Sequence, residues 1–168
     1  MNISAIISAY FSAVDVVSIT MELEKGFVKT LYIPAAAAAP IVSAAAKIDK
    51  KSPATGGGDH LRVTAGAFRR AYCAKYPSDT AAAADGIRIV KRDTSANYKK
   101  RFKEWQNERS NFGYNWGNFS EWICAVDDFK QEDHKHHNTE KGADIITEDG
   151  IKIECKDLFG AGFQVPIE

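Results

Sequence analysis

Cysteine is scarce in this chain of 168 residues: Cys73, Cys124 and Cys155 stand far apart, and no CxxC spacing occurs. That rules against a disulfide framework and against a cysteine-rich zinc site, and suggests buried reduced thiols in a cytoplasmic protein. The most apolar run, residues 33–46, is about 14 residues long and holds Pro34 and Pro40. A membrane-spanning helix needs ~20 apolar residues, so no membrane segment is expected. No Lys or Arg precedes the apolar N-terminal stretch, so no secretory signal is read there. GxSxG, GxGxxG and HExxH are all missing, and no Gly-Lys-Ser/Thr follows Gly56-Gly57-Gly58. Hydrolase-triad, dinucleotide-binding and P-loop chemistry therefore have no support.

Net charge is also lacking, with 22 basic and 22 acidic side chains. The balance hides an asymmetry. Residues 1–110 carry 17 basic and 10 acidic side chains, whereas residues 111–168 carry 5 and 12. Such a division hints at a polyanion or a metal as partner. The apolar fraction of 45% is ordinary for a globular chain, and one domain of this length can bury a real core.

Residues 16–33 read as a hairpin around a three-residue loop, Glu24-Lys25-Gly26, with a glycine bulge. In the alanine-rich stretch 34–47, Pro40 is expected to break or restart a helix. Residues 49–59, with Pro53 and three glycines, suit a flexible loop. Helices are expected over 63–76, ended by Pro77, and over 95–110, with Tyr98, Phe102 and Trp105 at helical spacing. Residues 79–84 form a short alanine-rich piece and 87–91 a strand. Residues 111–118 read as a loop, and Ser120 as the cap of a helix running to 129. The pattern implies an α+β fold with a mixed or antiparallel sheet flanked by helices. An echo links 84–93 and 148–157: both are Asp-Gly turns that open an alternating strand.

The most specific segment is GADIITEDGIKIECKD, residues 142–157. Read as a hairpin with the three-residue loop Glu148-Asp149-Gly150, it places Thr147 opposite Ile151 and Asp144 opposite Glu154. Asp144, Ile146, Lys152, Glu154 and Lys156 then share one face, and Ile145, Thr147, Ile151, Ile153 and Cys155 share the other. A two-residue loop would pair Asp144 with Cys155 and scatter the cluster. Two adjacent carboxylates invite a hard divalent cation such as Mg²⁺ or Mn²⁺, and Lys156 can offset charge developing on a phosphate. The other reading is a solvated, salt-bridged polar face.

This arrangement resembles the PD-(D/E)xK nuclease superfamily, which includes many restriction endonucleases. There an Asp opens the second core strand and Glu-x-Lys lies on the third; Asp144 and Glu154-Cys155-Lys156 fit that order. The resemblance implies a restriction-endonuclease-like core and Mg²⁺-dependent hydrolysis of DNA. Asp144 and Glu154 would be metal ligands, Lys156 would assist the attacking water, and Glu121, on the preceding helix, would be a further acidic residue. The family core continues after the ExK strand with a helix and a strand, whereas 12 residues follow Lys156 here. The N-terminal half or another chain would have to supply those elements, or the core is incomplete.

Arg88, Lys91, Arg92, Lys99, Lys100, Arg101 and Lys103 form a basic segment interleaved with aromatics, a candidate DNA-backbone contact. The alternative is a solvated helix face with its aromatics in the core. His134, His136 and His137 match no familiar zinc spacing and read as loop, and His60 reads as surface. The leading expectation is a metal-dependent nuclease. The runner-up is a non-catalytic binding or inhibitor protein, with a protein partner or a homodimer, that blocks a nucleic-acid enzyme.

Overall fold

A computed structural model describes residues 2–48, 60–109, 114–131 and 143–167. The glycine-rich segment 49–59 and the three clustered histidines lie outside the described residues. The rest is an α+β fold, a mixed five-stranded sheet flanked by helices.

The sheet is built outward from the hairpin of β1 (Val16–Glu24) and β2 (Phe27–Pro34). Their register pairs Val17 with Ile33 and Thr20 with Thr30. Glu24 still pairs with Phe27, so the loop is the two residues Lys25-Gly26 rather than three, and the irregularity falls higher up, between Met21 and Glu24. β4 (Arg88–Thr94) adds antiparallel to β2, and β6 (Lys152–Asp157) lies parallel to β1. β5 (Ile145–Ile146) closes the far edge. The order is β4-β2-β1-β6-β5. β4 and β6 each begin two residues after a glycine at positive φ, Gly86 (+83°) and Gly150 (+84°), the shared geometry behind the sequence echo.

β1 is buried on both faces. Val17, Ile19 and Met21 point into the largest core, with Leu31 and Ile33 of β2. Three helices cover that face: α1 (Ile3–Tyr10), α2 (Ala35–Ile48) and α3 (Ala65–Lys75), whose Thr64 hydroxyl caps the Ala67 N–H at 3.2 Å. Each buried Val, Ile or Met contributes about 1.5–3 kcal/mol from burial. Pro40 neither breaks nor restarts α2. It sits on the exposed side, and Ala36, whose carbonyl loses its N–H partner, is an exposed residue too, so water can replace the lost bond.

After α4 (Asp79–Ala84) and β4, α5 (Ser95–Arg109) covers the opposite face with Tyr98, Phe102 and Trp105 turned inward. α6 spans Trp116–Ile123 and starts four residues before the expected Ser120 cap. Asn115 and Asn118 close a reciprocal capping box, while the buried Ser120 donates to the Gly117 carbonyl. The helix then widens into a π-helical turn, Cys124–Asp128. A separate ribbon, β3 (His60–Val63) with β7 (Phe163–Pro166), was not expected. At Gly162 (φ +101°) a Cβ would sit 2.6 Å from the Val63 carbonyl oxygen, so only glycine fits there.

Candidate functional site

The hairpin over 143–157 takes the three-residue loop. Ile145 pairs with Ile153 and Ile146 with Lys152, and the Thr147 N–H donates to the Ile151 carbonyl at 3.0 Å. That register sets Asp144 opposite Glu154. Ile145 and Ile153 turn toward the π-turn, against Cys124 and Ala125, so Glu154 and Lys156 turn toward α1. Ile151 shares the face of Ile153, as expected, but is 38% exposed where it follows the loop.

Lys156 Nζ lies 3.1 Å from Glu154 Oε2 and donates to Tyr10 Oη at 2.5 Å. It also stands over the rings of Tyr10 and Phe163, at 4.9 and 5.4 Å. Burial alone would depress the ammonium, but Tyr10 and Glu154 outweigh it and hold its pKa above the ordinary value. Burial raises the Glu154 carboxyl, Asp144 adds to the rise, and Lys156 opposes it. One oxygen of Asp144 accepts the Cys155 backbone N–H at 2.8 Å. Glu121 is buried on α6, in the helical layer on the other face of the sheet. Among the described residues no three His, Cys, Asp or Glu side chains converge as a metal-binding group, so Glu121 does not join Asp144 and Glu154.

The basic segment divides. Lys91, Lys99, Lys100, Arg101 and Lys103 are exposed, with Arg101 paired to Asp127 at 3.1 Å. Arg88 is exposed too, its guanidinium 5.5 Å from the Tyr32 ring centre. β4 and β5 occupy opposite edges, four strand spacings or ~19 Å apart. The cations on β4 therefore do not flank the carboxylates. The interleaved aromatics pack on Trp116, Phe119 and one another rather than facing outward.

Arg92 is not on that surface at all. Its side chain is 5% exposed and pairs with Asp128, which is 6% exposed. Nη1 donates to Asp128 Oδ1 at 2.9 Å, and Nε to Thr30 Oγ1 at 2.8 Å. The Tyr32 hydroxyl donates to the same carboxylate. Thr30 meets Thr20 at 2.8 Å. Cys124 Sγ lies 3.5 Å from Arg92 Nη2 and 4.0 Å from Ser18 Oγ. A hydrogen bond from Cys155, with Arg92 beside it, holds the Cys124 thiol below its ordinary pKa, against the burial that would raise it. This polar layer was missed from sequence. Its signal was there: Ser18, Thr20, Thr30 and Tyr32 alternate with apolar residues along two strands that are otherwise core. Of the cysteines, Cys124 is buried, Cys155 half-buried, and Cys73, expected buried, is exposed because it lies on the outer side of α3.

On the same face as the Arg92 layer, a cavity of about 470 Å³ opens at the end of the sheet where β1, β4 and β6 begin. Among the described residues no helix is long and apolar enough to cross a membrane. Compared with family models, with curated proteins and with solved structures, the chain matches none of them.

Proposed function

We propose that this protein is a metal-dependent nuclease-like hydrolase of phosphodiester bonds in DNA. The observation that carries the reading is the hairpin register, which sets Asp144 opposite Glu154 with Lys156 two residues on, on the same face. The resemblance to PD-(D/E)xK nucleases gains from the neighbours of that strand. Among the described residues no helix follows β6, yet β1 lies parallel against β6, and α1 meets Lys156 through Tyr10. The N-terminal segment thus brings a helix and a strand to the ExK strand.

The donor set suits Mg²⁺ or Mn²⁺, which need only one or two carboxylates alongside water and phosphate oxygens. Burial and Asp144 raise the proton affinity of Glu154, so the pair gains from a nearby cation. Asp144 and Glu154 would hold the metal, which supplies Lewis-acid polarisation of a phosphate oxygen and a bound water of lowered pKa. Lys156, kept protonated by Glu154 and Tyr10, offsets charge developing on the phosphate. Arg88 and Lys91 at the other edge, and Lys99, Lys100, Arg101 and Lys103 on the helix that covers the other face, would hold backbone phosphates. Arg92 is committed to Asp128 and takes no part.

The test is incubation with plasmid, linear and single-stranded DNA in Mg²⁺ or Mn²⁺, beside Glu154→Gln and a chelator control. Cleavage lost in both controls supports the reading. No metal-dependent cleavage of any substrate overturns it and favours the second reading, a non-catalytic protein that blocks a nucleic-acid enzyme by contact. What speaks for that second reading is the closure of Glu154 and Lys156 on each other beneath Tyr10 and Phe163.

A further inference from the structure

The cavity at the end of the sheet is independent of the carboxylate edge, because its floor, Val16, Tyr32 and Ile153, lies on the opposite face from Glu154 and Lys156. Its floor and wall are apolar and aromatic, with Phe129 edge-on to Tyr32 at 5.7 Å. The Tyr32 hydroxyl already donates to Asp128, so the floor selects by shape rather than by hydrogen bonding. Lys130, on the wall beside Phe129, turns its ammonium back to the Asp127 carbonyl at 3.0 Å. The mouth is different. Arg88 stands at one end on β4, and Glu148 and Asp149 stand at the other on the β5–β6 turn. All three are exposed, and among the described residues no ion pair joins Arg88 to either carboxylate. β4 and β6 are three strand spacings apart, ~14 Å. The Arg88 guanidinium reaches inward over the Tyr32 ring, 5.5 Å from its centre, so a ligand that satisfies both ends carries opposite charges separated by up to that distance, with an apolar group between them. An amino acid is too short. An extended peptide at ~3.3 Å per residue spans it in four or five residues.

The geometry points to this cavity as the docking groove for a short extended segment of a partner protein. The segment carries an aromatic or branched apolar side chain at its centre, an acidic residue toward Arg88 and a basic residue toward Glu148 and Asp149. The volume of about 470 Å³ accommodates a central aromatic side chain with its flanking backbone. Charge at the two ends fixes the orientation of the segment and rejects segments of one sign.

The test uses capped peptides with uncharged termini, titrated into the isotopically labelled full chain and followed by amide chemical shifts. Lys-Ala-Phe-Ala-Glu and its reverse, Glu-Ala-Phe-Ala-Lys, are compared with the all-basic Lys-Ala-Phe-Ala-Lys, the all-acidic Glu-Ala-Phe-Ala-Glu and the anchor-free Lys-Ala-Ala-Ala-Glu. At least one mixed peptide is expected to bind about fivefold more tightly than each of those three at low salt. The shifts should centre on Arg88, Phe129 and the Thr147–Ile151 turn. Arg88→Glu should move the preference to the all-basic peptide, and the double exchange Glu148→Lys with Asp149→Lys should move it to the all-acidic one. The proposal is overturned by the absence of saturable shifts, by equal affinity for all five peptides, or by an unchanged ranking in both variants. Concentration-dependent shifts at these amides without any peptide would also overturn it, since a second copy of the chain would then be the occupant.

Discussion

Two ion pairs of this molecule lie on opposite faces of the sheet, and they are built for different ends. Arg92–Asp128 is sealed at 5% and 6% exposure, and the Tyr32 and Thr30 hydroxyls complete its hydrogen bonding. Lys156–Glu154 keeps 14% and 23% exposure, and Asp144 stands beside it as a second carboxylate. The first pair has every partner it needs and no route for a ligand. The second holds more negative charge than one lysine neutralises and retains contact with water. Burial alone does not separate structure from function here. What separates them is whether the charges are already balanced.

The largest effect should come from unbalancing the sealed pair. Asp128→Ala strands a buried guanidinium, and a loss of about 3–5 kcal/mol in urea or thermal unfolding is expected. Replacing both partners, Arg92→Met with Asp128→Leu, should recover most of that loss, because no orphaned charge remains. A double variant as unstable as the single one would show that the Tyr32 and Thr30 hydrogen bonds, rather than the charge pairing, hold this layer together.

Asp157 shows what a carboxylate on the same strand does with no cation to meet it. One oxygen accepts the Gly160 N–H at 2.8 Å, and the other is buried without a partner among the described residues. Burial, opposed by the Gly160 and Phe159 N–H groups, pushes its pKa up to about 6. The folded state then binds more protons than the unfolded chain between about pH 4 and pH 6. Stability contributed by this group is therefore present at low pH and is lost as pH rises through that window. Asp157→Asn keeps an acceptor for Gly160 and removes the charge. It should stabilise the protein by about 2 kcal/mol at pH 7 and by almost nothing at pH 4. An equal gain at both pH values would show that the carboxylate's charge is not what costs stability.

The legible parts of this fold were those with local causes. Asp149-Gly150, with its glycine at positive φ, and the alternation on either side set the register that brings Asp144 to Glu154. Tyr98, Phe102 and Trp105 stand at helical spacing and turn into the core, one of the two readings that the sequence left open. What failed depended on distant chain. The four-residue β3 finds its partner about 100 residues away, and nothing within it announces a strand. The parallel seat of β6 against β1 has no local signature either. Arg92 read as a surface cation because its partner arrives on a π-helical turn 36 residues later. Asn115 and Ser120 are both competent caps, and it is at Asn115 that Asn118 completes a reciprocal box.

The smallest effect is the most telling for the exposed pair. Because the folded protein raises the Glu154 carboxyl, its ionised form is worse placed in the fold than in the unfolded chain at neutral pH. Glu154→Gln should therefore be neutral or slightly stabilising, within about 1 kcal/mol, where the matching change at Asp128 is ruinous. Mg²⁺ should reverse the ranking. A cation bound only by the folded state adds RT ln(1 + [L]/Kd), about 1.4 kcal/mol at ten times Kd, or a rise of about 3–5 °C in Tm for a chain of this length. The wild type should show that rise. Glu154→Gln and Asp144→Asn should not, and Asp157→Asn, whose carboxylate faces the other side of β6, should keep it. The same rise in all four proteins would place the cation elsewhere, and no rise in any would leave the Asp144–Glu154 edge a salt-bridged surface.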